Sequence, residues 1–478
     1  MIKIGIVGAG SAGLFAANEL GKLGLKNAEI SIFEQGPEID NRHCPIKEEE
    51  LACALCDPCR IMSGVGGAGC FSSGILNLNK NIGGHLGELC ENANLNADKI
   101  IRQIDNFFVQ NGAPNKIFDP FEKAKKEQLK ELRRKCASVD IRFVPVKQRL
   151  LGSQKTTEVI TSIQKFLESN YNIEIIPNTK VTAIDDKRNL YFNGEKKENF
   201  DYLLIAPGRW GMIWLAQQCD KLGIKTFYEP LDIGVRVEVP AIIMEDVCHI
   251  QRDPKFHILT HTYNDFVRTF CVNHKGYVVK ETYDEKIAGV NGHQLTTEGK
   301  SENTNFAFLI RQRLTSPLED TTEYGRSIAK QTSILGGYKP LIQTLGDLRG
   351  GHRSRTSLIE KNPVQSTLKD ATPGDIAMAY PYRFIKDILE GLEILDKVIP
   401  GVNNNSTLLY APEFKRSAKR VDTNSFLESN KIKNIFFAGD GAGISRGIVG
   451  AAVTGIIAAH GIINKINNNK FNQTLLNH

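Results

Sequence analysis

Gly8-Ala9-Gly10-Ser11-Ala12-Gly13 lies between a short apolar run, Ile2 to Val7, and a stretch from Ala12 to Leu23 with helical apolar spacing. A bare GxGxxG carries little information; a strand before it and a helix after it carry much more. Gly8 permits the tight turn, Gly10 lets the backbone approach a pyrophosphate, and Gly13 allows close packing of helix on strand. Ser11 and Ala12 open the helix, whose first turn offers unpaired N–H groups and the positive end of the dipole to phosphates. A second apolar run, Ile30 to Phe33, closes at Glu34, 21 residues past Gly13. A carboxylate there accepts hydrogen bonds from the hydroxyls of an adenosine ribose. Residues 2–34 therefore read as a dinucleotide-binding strand–turn–helix–strand.

The rest of the chain sets the bounds. It has 478 residues, 41% hydrophobic and 24% charged, the mixture of a globular protein of two or three domains. Wholesale disorder, a fibrous repeat and a polytopic membrane protein are excluded. A net charge of +6 is small for this length, and no dense basic block accompanies it, so nucleic acid is not an expected partner. The charge run Glu122 to Lys135 reads as a solvated helix face. The N-terminus runs directly into the glycine fingerprint with no basic region or cleavage site, against a signal peptide. Gly447 to Ile463 is apolar but interrupted by Gly450, Gly455, His460 and Gly461, which suits a buried helix better than a membrane span. The expected location is cytoplasmic, where thiols stay reduced.

Further strands are expected at Ile173–Ile176, Thr179–Ile184 and Tyr202–Ile205, and a helical pattern runs from Ala97 to Cys136. After Pro230 the alternating runs Ile233–Val239 and Arg268–Val279 point to a separate antiparallel sheet. Helical spacing returns at Ile385–Val398, and a last strand, Asn434–Phe437, leads into the glycine-rich helix. The polar end beyond it reads as a fraying tail.

Two distal segments choose the dinucleotide. Asp201-Tyr-Leu-Leu-Ile-Ala206-Pro-Gly208 resembles the strand and small turn with which glutathione-reductase-type flavoproteins return to the nucleotide site. Asn434-Ile-Phe-Phe-Ala-Gly439-Asp440-Gly-Ala-Gly443 resembles their last cofactor motif. That resemblance implies FAD, with Asp440 at the ribityl or pyrophosphate portion and a helix from about Ile444 aimed at the ring. It also implies an α/β architecture: a discontinuous Rossmann-type FAD-binding domain holding an inserted, largely antiparallel α+β substrate domain. The expected boundaries are 1–228 and 406–465 for the cofactor domain, 229–405 for the insert and 466–478 for the tail. No second GxGxxG opens a strand–helix unit downstream, so NAD(P)H is expected only as a transient electron donor.

A narrower resemblance rests on Arg42-His-Cys44-Pro, Cys53-Ala-Leu-Cys56-Asp-Pro-Cys59 and the loop Ser63-Gly-Val-Gly66-Gly67-Ala-Gly-Cys-Phe71. With Asp232–Glu238, Glu413–Ser417 and Gly439–Gly447, these segments resemble the FAD-dependent dehydrogenases often labelled "NAD-utilizing dehydrogenases". Gly66 and Gly67 would then lie against the cofactor. The sequence departs from that pattern at Phe71-Ser-Ser73-Gly-Ile75, where relatives carry an Asp and a Lys. It departs again at Phe270–Gly276, which replaces a Cys-x-Cys-Pro-Gly-Gly-like run, and both changes suggest a different substrate.

Four of the ten cysteines, Cys44, Cys53, Cys56 and Cys59, fall within sixteen residues. Cys53-x2-Cys56-x2-Cys59 has the spacing of [4Fe–4S] ligands, with Cys44 before Pro45 as the fourth. Tetrahedral zinc suits the same four thiolates. A CxxC redox pair and ordinary reduced thiols are the other readings.

Candidate catalytic groups are His352 and Arg353, in the cation-rich segment Arg349–Arg355, and Arg446, beside the last motif. Arg353 and its neighbours suit an anionic substrate, and Arg446 suits the pyrimidine end of a flavin. The expected function is an FAD-dependent oxidoreductase passing hydride between flavin N5 and a small organic substrate. NAD(P)H or an iron–sulfur carrier, the latter implying a redox partner protein, would supply electrons. The alternatives are an electron-transfer flavoprotein with a four-cysteine metal site and an RNA-modifying flavoprotein.

Overall fold

The computed structural model describes residues 1–22, 28–44, 53–192, 196–284, 287–293, 299–316 and 319–476. The chain folds into two compact units. The first comprises Met1–Ile117, Gln148–Tyr228 and Ala418–His478, and the second Phe118–Lys147 and Glu229–Ser417.

The first unit is built on five parallel strands: β1 (Ile2–Val7), β2 (Ala28–Phe33), β3 (Ile173–Ile176), β4 (Tyr202–Ile205) and β5 (Ile435–Phe437). Their order across the sheet is β5-β4-β1-β2-β3. This is the nucleotide-binding order in which the direction of winding reverses beside β1. All five are short and nearly continuously apolar, as strands buried on both faces must be. Helix α1 (Ser11–Lys22) follows the glycine turn and buries nine consecutive residues, Ala12 to Leu20. Helix α2 (Ala97–Gln110) starts on Asn96, whose side chain accepts from the Lys99 amide. Helix α3 (Ser153–Asn170) precedes β3, and α4 (Gly447–Leu476) follows β5. Between β3 and β4 the chain makes an antiparallel meander, Val181–Ile184, Asn189–Phe192 and Lys196–Asn199, in place of a crossover helix.

Helix α4 contains the apolar stretch noted in the sequence. By length and composition it could cross a membrane, yet 72% of that window is buried inside the protein. Val453, Ile457, Ala458 and Ile462 sit in one core with Leu14, Phe15 and Ala16 of α1. The helices touch backbone to backbone: a Cβ on Gly455 would lie 2.1 Å from the Ala12 carbonyl oxygen. Farther along, His460 Nε2 meets Glu19 Oε1 at 3.1 Å. Burial pushes the Glu19 carboxyl up, but the His460 hydrogen bond and Lys22 outweigh it and hold it below the usual value. The helix continues to Leu476, where the sequence suggested a tail from residue 466.

The second unit holds an eight-stranded, mostly antiparallel sheet centred on Leu231–Pro240 and Asn303–Gln312, which pair along ten residues. The expected single run Arg268–Val279 is two strands, Phe266–Asn273 and Tyr277–Asp284, separated by a turn. The segment 118–147 belongs to this unit because Arg142–Val144 forms the sheet's edge, pairing with Lys255–Leu259. The charged run ahead of that edge is the helix Lys126–Ala137, which buries Leu129, Leu132 and Cys136.

Candidate cofactor site

Three glycine-bearing turns meet where β1, β4 and β5 end. Gly8 has φ 103°, and its amide donates to the Phe33 carbonyl at 2.8 Å. A Cβ there would lie 2.2 Å from the Ala206 oxygen, so the β1 and β4 turns touch directly. A Cβ on Gly13 would lie 2.0 Å from the Gly8 oxygen, the close helix–strand contact expected of it. Gly10 differs, because a Cβ there meets nothing nearer than the Gly67 Cα at 3.8 Å. Its bareness serves something other than packing within the fold. On the other side, a Cβ on Gly441 would sit 2.2 Å from the Gly208 oxygen, and one on Gly439 3.2 Å from the Ala12 Cβ. The Gly439 amide donates to Thr454 Oγ1 at 3.0 Å, tying the last motif to α4.

Glu34 is buried at the end of β2 and gathers backbone donors from three segments. Its Oε2 accepts from Ala9 N at 3.0 Å, and its Oε1 accepts from Gly36 N and Gly64 N, each at 2.9 Å. A carboxylate has about four acceptor positions, so one remains beyond these three amides. The Gly66 amide donates to the Ala9 carbonyl at 2.9 Å, and Gly66 and Gly67 both have positive φ. The 63–71 loop is thereby laid against the glycine turn, with Gly67 facing Gly10.

Asp440 stands at the opposite end. Its Oδ1 accepts from Ser445 Oγ and its Oδ2 from the Gly447 amide, both at 3.0 Å. Burial raises its carboxyl above the usual value, opposed by Arg446, the Gly447 amide, Arg209 and Ser445. The Arg446 amide donates to the Gly83 carbonyl at 2.7 Å. These bonds delay α4, which begins at Gly447 and not at the expected Ile444. Gly443 closes the motif in a left-handed conformation, φ 71°, against the Arg420 backbone.

Of the candidate catalytic residues, Arg446 lies in this site. His352 and Arg353 belong to the second unit, on an exposed loop after the helix Leu345–Gly350. The sequence reading missed Arg209, the exposed residue directly after Gly208, whose charge acts on Asp440. It also missed Thr454 and Ser445, which have no sequence signal apart from their neighbours.

Cys44, Cys53, Cys56 and Cys59 are free thiols, and no group of three or more His, Cys, Asp or Glu side chains is placed to hold a metal among the described residues. Pro45, expected beside the fourth ligand, lies outside the described residues. The described part of this segment is held by Arg42, which is buried. Its guanidinium donates to the carbonyls of Arg60 (2.9 Å), Ile61 (2.7 Å), Gly64 (3.4 Å) and Val65 (2.7 Å), and stacks on Phe71 at 4.7 Å. Burial pulls the guanidinium below its usual pKa, with Cys70, Glu34 and Cys59 offsetting part of that. One cation thus satisfies four carbonyls of a loop poor in apolar side chains.

Residues 387–470 match the family model described as Glucose inhibited division protein A. A Clostridium beijerinckii protein described as uncharacterized is 26% identical over 490 aligned positions, covering 96% of this chain and 80% of that one. Among solved structures, glycine oxidase from Geobacillus kaustophilus is 12% identical with a TM-score of 0.37, covering 96% of this chain and 94% of that one. An oxidoreductase from Methanosarcina mazei is also 12% identical with a TM-score of 0.37, covering 96% and 100%. A 2-methyl-3-hydroxypyridine-5-carboxylic acid oxygenase is 11% identical with a TM-score of 0.35, covering 97% and 82%.

Proposed function

We propose that the first unit binds FAD and that the protein is an FAD-dependent oxidoreductase acting on a small organic substrate. The observation that carries this reading is the meeting of three glycine turns at the ends of β1, β4 and β5, at the reversal point of a parallel sheet. Ligands of such sheets bind outside the carboxyl ends of the strands at that point. The bare Gly10 position fits a pyrophosphate approaching the backbone, and the first turn of α1 supplies N–H groups to it. The acceptor position left on Glu34 suits a ribose hydroxyl. Asp440, flanked by Arg209 and Arg446, suits the polar chain between pyrophosphate and ring.

A bound flavin supplies hydride exchange with substrate at N5. The chain's own part is to hold and orient. Arg446 places a cation beside the last motif, where it would stabilise negative charge on a flavin ring held there. Asp440 holds Ser445 and the Gly447 amide, and through them the start of α4. NAD(P)H is the proposed electron donor, bound transiently.

The test is direct. Protein purified in the dark should carry flavin absorbance, and heat release should yield FAD as the only flavin. Anaerobic NADH or NADPH should bleach it. A colourless protein that takes up no added FAD would refute the cofactor, whereas a yellow protein blind to both nicotinamides would refute the donor alone.

A further inference from the structure

The eight-stranded sheet of the second unit has two unlike faces. Residues paired in register share a face, and the faces alternate along each strand. One face carries Phe143, Phe256, Ile258, Val267, Phe308 and Ile310, all in the core. The other face of the same strands is cationic and aromatic. Arg142, His257 and Arg268 form one row across it. Leu259, Phe266, Arg311 and Asp232 form the next. Lys255 and Phe270 lie on the same face, with the ammonium 4.7 Å from the ring centre.

This surface is partly open. Arg142 and Arg311 are exposed, Leu259 is 54% exposed, and His257, Phe266, Arg268 and Phe270 are half-buried. Its cations are held in place. Arg268 sits 4.9 Å from the Phe270 ring centre and Arg311 5.2 Å from that of Phe266, while Asp232 receives Arg268 at 2.7 Å and Arg311 at 3.1 Å. Asp232, shared by Arg268 and Arg311, and Asp253, paired with Lys255, leave the four cations with a net excess of two positive charges. The Arg268 Nε is buried and has no acceptor among the described residues. Burial, then Arg268, Arg142, Arg311 and Lys255, drive the His257 imidazole down to about 4.

We propose that this sheet face is a binding site for a carboxylate carried on a flat, conjugated apolar body. Guanidinium groups pre-set by ring stacking present forked donors to a carboxylate. Phe266, Phe270 and Leu259 offer apolar area between the cations, which a plain inorganic anion would leave in water. The site stands on the second unit alone and does not rest on the flavin reading.

The test titrates full-length protein with 2-naphthoate by calorimetry, with 2-naphthalenemethanol and inorganic phosphate as controls. Saturable naphthoate binding, much weaker binding of either control, and a rise in the His257 pKa on binding, read by NMR, are expected. Arg268→Gln should weaken binding about tenfold or more, and Arg142→Gln severalfold. Arg142 is on an exposed edge strand, so that variant carries the test if Arg268→Gln does not fold. Equal binding of acid and alcohol, unchanged affinity in Arg142→Gln, or no saturable binding would overturn the site. Salt-sensitive binding of oligouridylate without any of naphthoate would overturn it in favour of a nucleic-acid surface.

Discussion

The Gly64 amide donates to Glu34 Oε1 at 2.9 Å across 30 positions of chain. Through this bond the end of β2 holds the glycine loop, while the other oxygen holds Ala9 of the glycine turn. A residue expected only to meet a ribose is therefore also a clamp between the two loops that flank the proposed nucleotide.

Glu34→Gln tests the clamp. Both oxygens accept backbone N–H groups, so an amide turned either way sets donor against donor. The cost is about 1–3 kcal/mol. A lower melting temperature and faster flavin loss are expected, measured by thermal melts with and without added FAD. An unchanged melt would mean that the amides find other partners.

Gly10→Ala and Gly13→Ala should behave oppositely. At Gly13 the new Cβ meets the Gly8 oxygen at 2.0 Å, so the flavin-free protein should lose stability, by about 1–3 kcal/mol if the backbone gives way. At Gly10 the new Cβ has 3.8 Å of clearance, so the flavin-free melt should hold. FAD affinity should nevertheless fall about tenfold or more, because a methyl intrudes where the pyrophosphate approaches. Equal melting and equal FAD affinity in the two variants would contradict the geometry.

Arg42→Met against Cys56→Ser separates a cation brace from a metal brace. The methionine removes the donors of four carbonyls, a loss on the order of 3 kcal/mol. The serine should leave the stability within about 0.5 kcal/mol of wild type, since Cys56 is only half-buried. Iron and zinc analysis of anaerobically prepared protein accompanies the melts. Stoichiometric metal that Cys56→Ser abolishes would reverse the order.

Asp387 gives the second unit a pH signature. Its Oδ1 accepts from Thr260 Oγ1 at 2.8 Å, while its buried Oδ2 has no partner in the hydrogen-bond geometry of the described residues. Burial, then the neighbouring Asp265, which Arg383 holds as a carboxylate, push the Asp387 carboxyl up to about 7, against the Thr260 hydrogen bond and Arg383. A raised acid binds more protons folded than unfolded, so its contribution is present in acid and declines as pH rises from about 4 to about 7. Asp265, Asp232 and Glu390 are depressed and contribute the opposite slope. The readout is therefore the difference in melting temperature between wild type and Asp387→Asn across that window. It should shift steadily in the variant's favour as pH rises, and a flat difference would show that Asp387 does not titrate there.

Much of the cofactor end was legible because its constraints are local. Gly8, Gly13 and Gly441 are glycine because a side chain would strike a backbone atom of a neighbouring turn. Such demands leave a glycine at a fixed place after an apolar run, and that can be read without coordinates. The same holds for α4, whose glycines marked a helix packed against other backbone and not against lipid.

What the sequence left open shares a cause. Ligand spacing in the cysteine segment described which thiols could converge. The same segment is also held by Arg42, which reaches residues 18 to 23 positions away and satisfies carbonyls of the loop. Arg209 carried no signal because its partner Asp440 is distant in sequence. His352 and Arg353 form a cationic motif of the second unit, while Arg446 belongs to the first.

Sequence alone determined the apolar strands of the first unit and the glycine turns at their ends, while the division of that unit between segments of the chain was implied only by resemblance, and the place of residues 118–147 in the second unit was not read at all. Apolar periodicity and steric exclusion act over a few residues, so they are written in order along the chain. Tertiary structure alone decided that Glu34 clamps two loops, that Arg42 braces the cysteine segment, and that Arg142, Lys255, Arg268 and Arg311 share one sheet face. Charge and hydrogen bonding act through space between segments that only folding brings together.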